Sequence, residues 1–464
     1  MGMRPFWIEQ ALFNDGDLAP ALQGAQRADV CIVGGGFTGL WTAIQAKQQD
    51  PSLDIAIVES DLCGAGASGR NGGCLLTWSA KFFTLRRLFG EAEAIRLVKA
   101  SEAAVEHIAR FCREQHVDAD FRQDGTLYTA TSQAQVGALD PVMQGLEACG
   151  IRSYFTLPPD EVARRSGSAR NLAGVFSPIA ATVHPGKLVR GLRRAALAMG
   201  IRIYERSPML EFSRGQPVTV RTPCGSIESK KLVLAINAWM ASTLPRFERS
   251  IAIVSSDMVI TERCPELLRE IGLVDGVSVL DSRTFVYYYR STVDGRLMLG
   301  KGGNTFSWGG RIAPVFDQRS PYEAQLTRAL HSFFPALKST PITASWNGPS
   351  DRSVTGFPFF GRLEGAPHIS YGFGYSGNGV GPTYMGGQIL ASMLLDQDNA
   401  WTRSPLTQGP LGHFPPEPLR YVGSIVVRNA IRRKERAEDH DRQPWLLDRM
   451  LSKFANAAGK ADKA

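Results

Sequence analysis

Apolar and polar positions follow two periods along the chain, and the switches between them mark its elements. Val30-Cys31-Ile32-Val33 is a continuous apolar run, the pattern of a strand buried on both faces. It runs into Gly34-Gly35-Gly36, and from Phe37 to Ala46 the spacing becomes helical. Asp54 to Glu59 repeats the buried-strand pattern. Helical periodicity covers 91–116 and 132–149, with a strand from Phe121 to Ala130 alternating around Gly125 between them. Val175 to Val189 holds a strand, then His184-Pro185-Gly186 and a helix to about Met199. Short strands are predicted at 201–205, 217–222 and 227–229, and Lys231 to Trp239 reads as a buried strand breaking into a turn. Strands at Phe285 to Tyr289 and Arg296 to Leu299 give 247–342 the look of a mostly antiparallel sheet. Last, the Gly-rich stretch Tyr371 to Pro382 opens a helix reaching about Leu395.

The first strand–turn–helix carries Gly34-x-Gly36-x-x-Gly39. In that context the first Gly makes a tight turn, the second admits a pyrophosphate, and the third lets the helix pack closely on the strand. The helix N-terminus then offers unpaired N–H groups to the phosphates. Glu59 ends the second strand about 20 residues after Gly39, where an acid takes ribose hydroxyls and disfavours a 2′-phosphate. These features predict a dinucleotide site. Gly64 to Cys74 is rich in Gly, as backbone packed against a flat ligand requires. The strand lies near the start of the chain, and a second Gly-rich helix opening returns far downstream, which favours FAD over NAD. A helix N-terminus near Gly379 would stabilise the negative charge that develops at N1 and the C2 carbonyl of a reduced flavin.

A length of 464 residues allows two or three domains, and 44% hydrophobic with 21% charged residues is ordinary for a soluble enzyme. The net charge of +8 favours an anionic ligand or surface. Much of it sits in a basic amphipathic tail from 420 that ends in an Ala/Lys/Gly segment reading as disordered. No nucleic-acid recognition module, apolar leader, membrane-length apolar run or metal-ligand cluster is visible. The seven scattered cysteines lack a C-x-x-C and fit a reducing cytoplasm.

Together, Gly34-x-Gly36-x-x-Gly39, Glu59, Gly66 to Gly73, Leu234-Ala235-x-Asn237-Ala238 and Gly372 to Gly379 resemble the D-amino-acid-oxidase-like flavoproteins, which include glycine and sarcosine oxidases. The resemblance covers about 27–400. It implies an α/β (α+β overall) fold: a Rossmann-like FAD-binding domain with a mostly antiparallel-sheet substrate domain. A lead-in over 1–26 would precede an FAD domain from 27–80, 171–246 and 343–398. The substrate domain would take 81–170 and 247–342, leaving 399–464 as a basic helical tail. The implied reaction is oxidation of an amine C–N bond by hydride transfer to flavin N5, followed by imine hydrolysis. The implied FAD contacts are Gly34, Gly36, Phe37, Thr38, Gly39, Glu59, Ser68, Arg70, Asn71, Gly72, Gly73, Asn237, Gly374, Gly377, Asn378 and Gly379. Within the family, Ala67 to Gly73 looks most like the gamma-glutamylputrescine oxidase branch, and the longer run from Glu59 to Phe83 like its aminophosphonate oxidoreductases.

Departures from the family pattern narrow the substrate. Glycine and D-amino-acid oxidases carry an Arg after Trp-x-Gly-Leu that clamps the substrate carboxylate. Here the segment reads Trp346-Asn347-Gly348-Pro349-Ser350, and the clamp position falls on Ser350, or on Pro349 with a one-residue slip; neither binds an anion by charge, which disfavours a free α-amino acid. Arg352 lies two residues further on, as an anion site or a structural Arg. Sarcosine oxidases have an oxygen-activating Lys in a strand that here reads Leu297-Met298-Leu299-Gly300. The adjacent Lys301 is a substrate cation, a displaced oxygen-activating group or a loop lysine. Tyr287 and Tyr289 share one strand face, and either face of that strand is a candidate wall of an amine pocket. Lys301, Arg352 and Tyr289 are the catalytic candidates. His184 faces the cofactor or caps its helix, and Cys74 is a flavin tether or packing. The substrate expected is an amine with a distal anionic group, aminoalkylphosphonates first and gamma-glutamylputrescine or another secondary amine second. An NAD-dependent dehydrogenase and a non-catalytic flavin sensor or docking protein are the alternatives of other classes.

Overall fold

The computed structural model describes residues 3–13, 15, 18–458 and 461–462. Among them the strands form two eight-stranded sheets and a two-stranded ribbon. The first sheet runs Phe359–Leu363, Ala366–Phe373, Gly225–Leu234, Gly24–Val33, Ile55–Val58, Arg202–Tyr204, with Phe359–Leu363 the antiparallel edge of a parallel core; Val218–Arg221 pairs antiparallel with Gly225–Leu234 and carries Glu211–Phe212. Val30 to Val33 and Ile55 to Val58 are buried on both faces, as a parallel sheet covered by helices demands. Helix Phe37–Gln49 packs on helix Pro382–Leu394, so the two Gly-rich openings, far apart in sequence, sit side by side. A Cβ on Gly387 would stand 2.6 Å from Trp41 Cβ, which explains a Gly inside that second helix.

The second sheet runs Ile342–Ser353, Ile251–Thr261, Leu297–Phe306, Tyr287–Ser291, Ser278–Asp281, Thr126–Ala130, Ala173–Ser177, Phe155–Leu157. It is antiparallel except where Ser278–Asp281 pairs with Thr126–Ala130. Two segments expected in the cofactor domain, Ala173–Ser177 and Ile342–Ser353, belong to this sheet instead. Their partners lie far away in sequence, and local periodicity carries no information about them.

The lead-in is more than a polar leader. Helix Phe6–Phe13 buries Trp7 and Ile8 completely, and Trp7 Nε1 donates to the Asn71 carbonyl at 2.9 Å. The tail forms helix Leu419–Glu438, packed on strand Leu297–Phe306, followed by Leu446–Ser452, packed on that helix. Arg283 pairs with Asp439 at 2.6 Å, and Thr284 N–H donates to Glu435 at 3.0 Å. Asp462 accepts from Thr84 N–H at 2.8 Å at the start of helix Phe82–Phe89. Residues 459–460 and 463–464 of the Ala/Lys/Gly end lie outside the described residues. No described helix is long and apolar enough to cross a membrane.

Trp7→Ala removes a buried ring stacked edge-on to Trp346 and His184 and strips the Asn71 carbonyl of its donor. The expected loss is about 3–5 kcal/mol, read as a lower midpoint for thermal unfolding of the flavin-loaded protein. A change below about 1 kcal/mol would contradict the packing described.

Candidate active site

Between the two sheets lies a cavity of about 1080 Å³. One end is built from the first strand–turn–helix. Gly34 has φ +111°, and a Cβ there would sit 2.5 Å from the Ala235 carbonyl oxygen; one on Gly39 would sit 2.0 Å from the Gly34 carbonyl oxygen. Only glycine fits either place, so the turn stays tight and the helix opening stays against the strand ends. Gly34, Gly36, Phe37 and Thr38 line the cavity. Gly39 stands behind them. The Phe37 N–H donates to Ser68 Oγ at 2.9 Å, tying the helix opening to the second Gly-rich loop.

Glu59 also lines this end. Its carboxylate accepts from Gly35 N–H at 2.7 Å, Ser60 Oγ at 2.9 Å and Asp61 N–H at 3.1 Å. Desolvation pushes its pKa up against these bonds.

The middle of the cavity is the Gly64 to Cys74 loop. Arg70 and Asn71 reach the wall, but their polar atoms serve the protein. Arg70 donates to the carbonyls of Ala65 at 2.8 Å and Asn347 at 3.2 Å and pairs with Asp317 at 2.5 Å. Asn71 donates to the carbonyls of Ser68 and Ala67 and accepts from Gly73 N–H at 2.8 Å, folding the loop on itself. Gly72 and Cys74 line the cavity, and Gly73 lies just behind. Opposite, Asn237 lines it with φ +48°. Gly377 and Gly379 line the wall ahead of helix Pro382–Leu394, with Gly374 and Asn378 outside the lining. Among the described residues, Asn237 Oδ1 and Ser350 Oγ, both buried on the wall, have no hydrogen-bond partner. Such orphaned groups mark a surface built for a polar ligand.

The far end belongs to the second sheet. Tyr288 fills a slot left by two glycines: a Cβ on Gly300 would lie 2.3 Å from its Cζ, and one on Gly72 would lie 2.5 Å from its Cε2. Its Oη shares a hydrogen bond with Ser256 Oγ at 3.0 Å. Tyr289 takes the opposite direction. It is buried among Phe333 and Phe334, receives a hydrogen bond from Asn171 at 2.8 Å and donates to the Ser166 carbonyl at 2.9 Å. The wall is therefore the Tyr288 face, and Tyr289 is core.

Lys301 likewise points away. Its ammonium lies over the Tyr287 ring at 3.9 Å and donates to the Phe285 carbonyl at 2.5 Å, outside the cavity lining. Strand alternation explains this: Gly302 faces the cavity, so Lys301 between it and Gly300 faces the other side.

Arg352, two residues after Ser350 on the same strand, does line the cavity. One guanidinium nitrogen donates to the Ser376 carbonyl at 2.5 Å, and glycines at 302 and 377 leave it room. Desolvation lowers its pKa, partly offset by Asp351 and Tyr288. Asp351, which the sequence reading missed, shapes the Gly-rich loop. Its carboxylate accepts from the N–H groups of Gly374 and of Tyr375, the latter at 3.2 Å, and burial pushes its pKa up to about 6. His184 is a cap: Nδ1 accepts from Lys187 N–H at 3.1 Å, and burial lowers its pKa to about 3.

The FAD dependent oxidoreductase family (DAO) matches residues 29–393, and the chain belongs to it. Among curated relatives it is 29% identical over 370 residues to gamma-glutamylputrescine oxidoreductase of Escherichia coli (strain K12), covering 79% of this chain and 83% of that one. It is 28% identical over 397 residues to a probable oxidoreductase OrdL of Rhizobium meliloti (strain 1021), covering 84% and 88%. Glycine oxidase from Geobacillus kaustophilus has the same fold, with a TM-score of 0.68 at 20% identity over 82% of this chain and 98% of that one. The chain is thus an FAD-dependent amine oxidoreductase of mixed α/β fold. The long cavity, its glycine-only turn, the helix opening and the orphaned polar atoms fit that cofactor.

Asp351 gives a pH test. Its raised pKa stabilises the fold below about pH 4, and that contribution is lost as pH rises through about 6. Asp351→Asn keeps an acceptor for the two N–H groups but does not titrate. Its unfolding midpoint minus that of the parent is expected to increase between pH 4 and pH 7. A pH-independent difference would refute the assignment.

Proposed function

We propose that the chain oxidises an amine carrying an anion at its far end, with an aminoalkylphosphonate of the 2-aminoethyl type, free or N-alkylated, as first substrate. The observation that supports this is Arg352 on the cavity wall. A guanidinium keeps its charge even when desolvated, and its fork matches the oxygens of a phosphonate or carboxylate. Gamma-glutamylputrescine, which also carries a carboxylate at the end away from its oxidisable amine, is the second reading, favoured by the likeness to the Escherichia coli enzyme. The neutral Ser350, where an amino-acid oxidase has its clamp, argues against a free α-amino acid.

When bound, FAD supplies the acceptor for the hydride leaving the substrate's α-carbon. In this reading the backbone from Gly34 to Thr38 would hold its pyrophosphate and Glu59 its ribose, while Ser68, Arg70 to Gly72, Asn237, Gly377 and Gly379 would face the flavin. Asp351 holds the Gly374 to Asn378 loop in shape. Burial keeps the Tyr288 phenol protonated, so its Oη accepts an amine N–H and steadies the neutral amine whose lone pair drives hydride departure. Arg352 holds the distal anion, and the two contacts orient the α-carbon between them. The released imine is hydrolysed by water to an aldehyde. Lys301 and Tyr289 act as structural groups. The compartment proposed is the cytoplasm, because among the described residues, which include all seven cysteines, there is no disulfide.

The test is anaerobic bleaching of the flavin spectrum by 2-aminoethylphosphonate, its N-methyl form, gamma-glutamylputrescine, sarcosine and D-alanine. An anionic amine of the first three should bleach it fastest. Arg352→Met should raise the concentration needed for that amine about 10–100-fold, the worth of a charge-assisted hydrogen bond, and leave bleaching by propylamine nearly unchanged. Fastest bleaching by D-alanine, or equal losses for both amines in the variant, would sink the proposal.

A further inference from the structure

The tail carries a surface that the oxidation does not use. Helix Leu446–Ser452 turns Asp448 and Ser452 inward, with Asp448 buried and paired to Arg433 at 2.6 Å. Its outward side shows Trp445 (78% exposed), Leu446 (70%), Leu447, Met450 and, just beyond, Phe454 (82%). Five large apolar side chains within ten residues, on a short helix and at its two ends, are too many and too contiguous for scattered surface residues. Arg449 and Lys453 lie exposed on the flank of this side. On the neighbouring helix Leu419–Glu438, Val422 and Val426 are also exposed, as are Arg433 and Arg436. The nearby acids are mostly engaged, Asp439 by Arg283 and Glu438 by Lys434 at 2.5 Å, leaving Asp441 as the exposed exception.

We propose that this face docks on the surface of an anionic phospholipid bilayer. An apolar helix face with Trp, Leu, Met and Phe outward and Arg and Lys on its flanks lies in the plane of an interface, with the rings among the headgroups and the cations at the phosphates. The face is a projecting ridge, which suits a deformable surface better than a rigid partner's pocket. Charge favours the bilayer over a second copy of the chain: the exposed side of 445–454 carries Arg449 and Lys453, and its one acid, Asp448, is buried, so a two-fold pairing of this face offers the cations no partner. The bulk charge of +8 adds long-range attraction to the same surface.

Flotation of the flavin-loaded full chain with vesicles tests this. Co-flotation with phosphatidylcholine vesicles containing phosphatidylglycerol is expected, with binding about tenfold or more weaker to phosphatidylcholine alone. Arg449→Glu with Lys453→Glu should weaken binding to the anionic vesicles to a similar degree. Leu446→Ser with Leu447→Ser and Met450→Ser should abolish it. Both variants should stay yellow and bleach with amine at the parent rate, since none of these residues lines the cavity. No flotation with anionic vesicles would overturn the proposal. So would equal flotation with both vesicle types, or a serine variant whose only change is from dimer to monomer by light scattering.

Discussion

The side chain of Arg70 is the contact on which the cavity depends. Its guanidinium reaches the carbonyls of Ala65, Asn347 and Met3 and the carboxylate of Asp317, and its own carbonyl accepts from Trp346 Nε1 at 3.0 Å. One buried residue of the cofactor loop therefore satisfies groups in the lead-in, its own loop and the strand that carries Ser350 and Arg352. Each of those carbonyls, left without a donor, would cost about 1–3 kcal/mol. The Gly64 to Cys74 loop is thus held against strand Ile342–Ser353 by hydrogen bonds that a long, forked donor makes, and Gly348 leaves its aliphatic stem room. The distance between the loop at the cavity's middle and the wall bearing Arg352 is set there. Charge at Arg70 is used for architecture, and charge at Arg352 is what faces the cavity.

What the sequence made legible follows the range of the forces involved. Gly34, Gly36, Gly39 and Glu59 were readable because a tight turn, a helix opening and a strand end are local constraints, written within about thirty residues. The helix that follows the Gly-rich stretch from Tyr371 to Pro382 was readable for the same reason. The membership of Ala173–Ser177 and Ile342–Ser353 in the second sheet was hidden, because a strand's pattern shows that it is buried and says nothing of its neighbour. Tyr288 and Lys301 show where a signal was present but unread. Gly300 and Gly302 alternate with Lys301, so the strand has one bare face and one bearing a lysine. The bare face leaves room for a ring from the next strand, and that ring must be Tyr288, which pairs with Gly300. Tyr289 then falls on the core side by alternation alone. Asp351 had no such signal, since its role rests on two N–H groups from a loop that meets it only in the folded chain.

The tail is tied to the cavity wall as firmly as the lead-in. Asp257, buried on the strand beside Gly302, accepts from Ser255, Ser320 and Asn304, and burial raises its pKa against those three bonds. Asn304 passes the connection outward: its side-chain oxygen accepts from Arg432 at 2.9 Å, and its carbonyl accepts from Arg428 at 2.7 Å. Further along the same helix face, Glu435 and Asp439 hold Thr284 and Arg283, next to the wall residue Phe285. A buried carboxylate tolerates its position only while its donors stay oriented, and here two of the groups that orient Asn304 come from the tail. Helix Leu419–Glu438 is therefore held to the body by paired charges along one face, and the segment that follows is pinned to that helix by the Arg433–Asp448 pair.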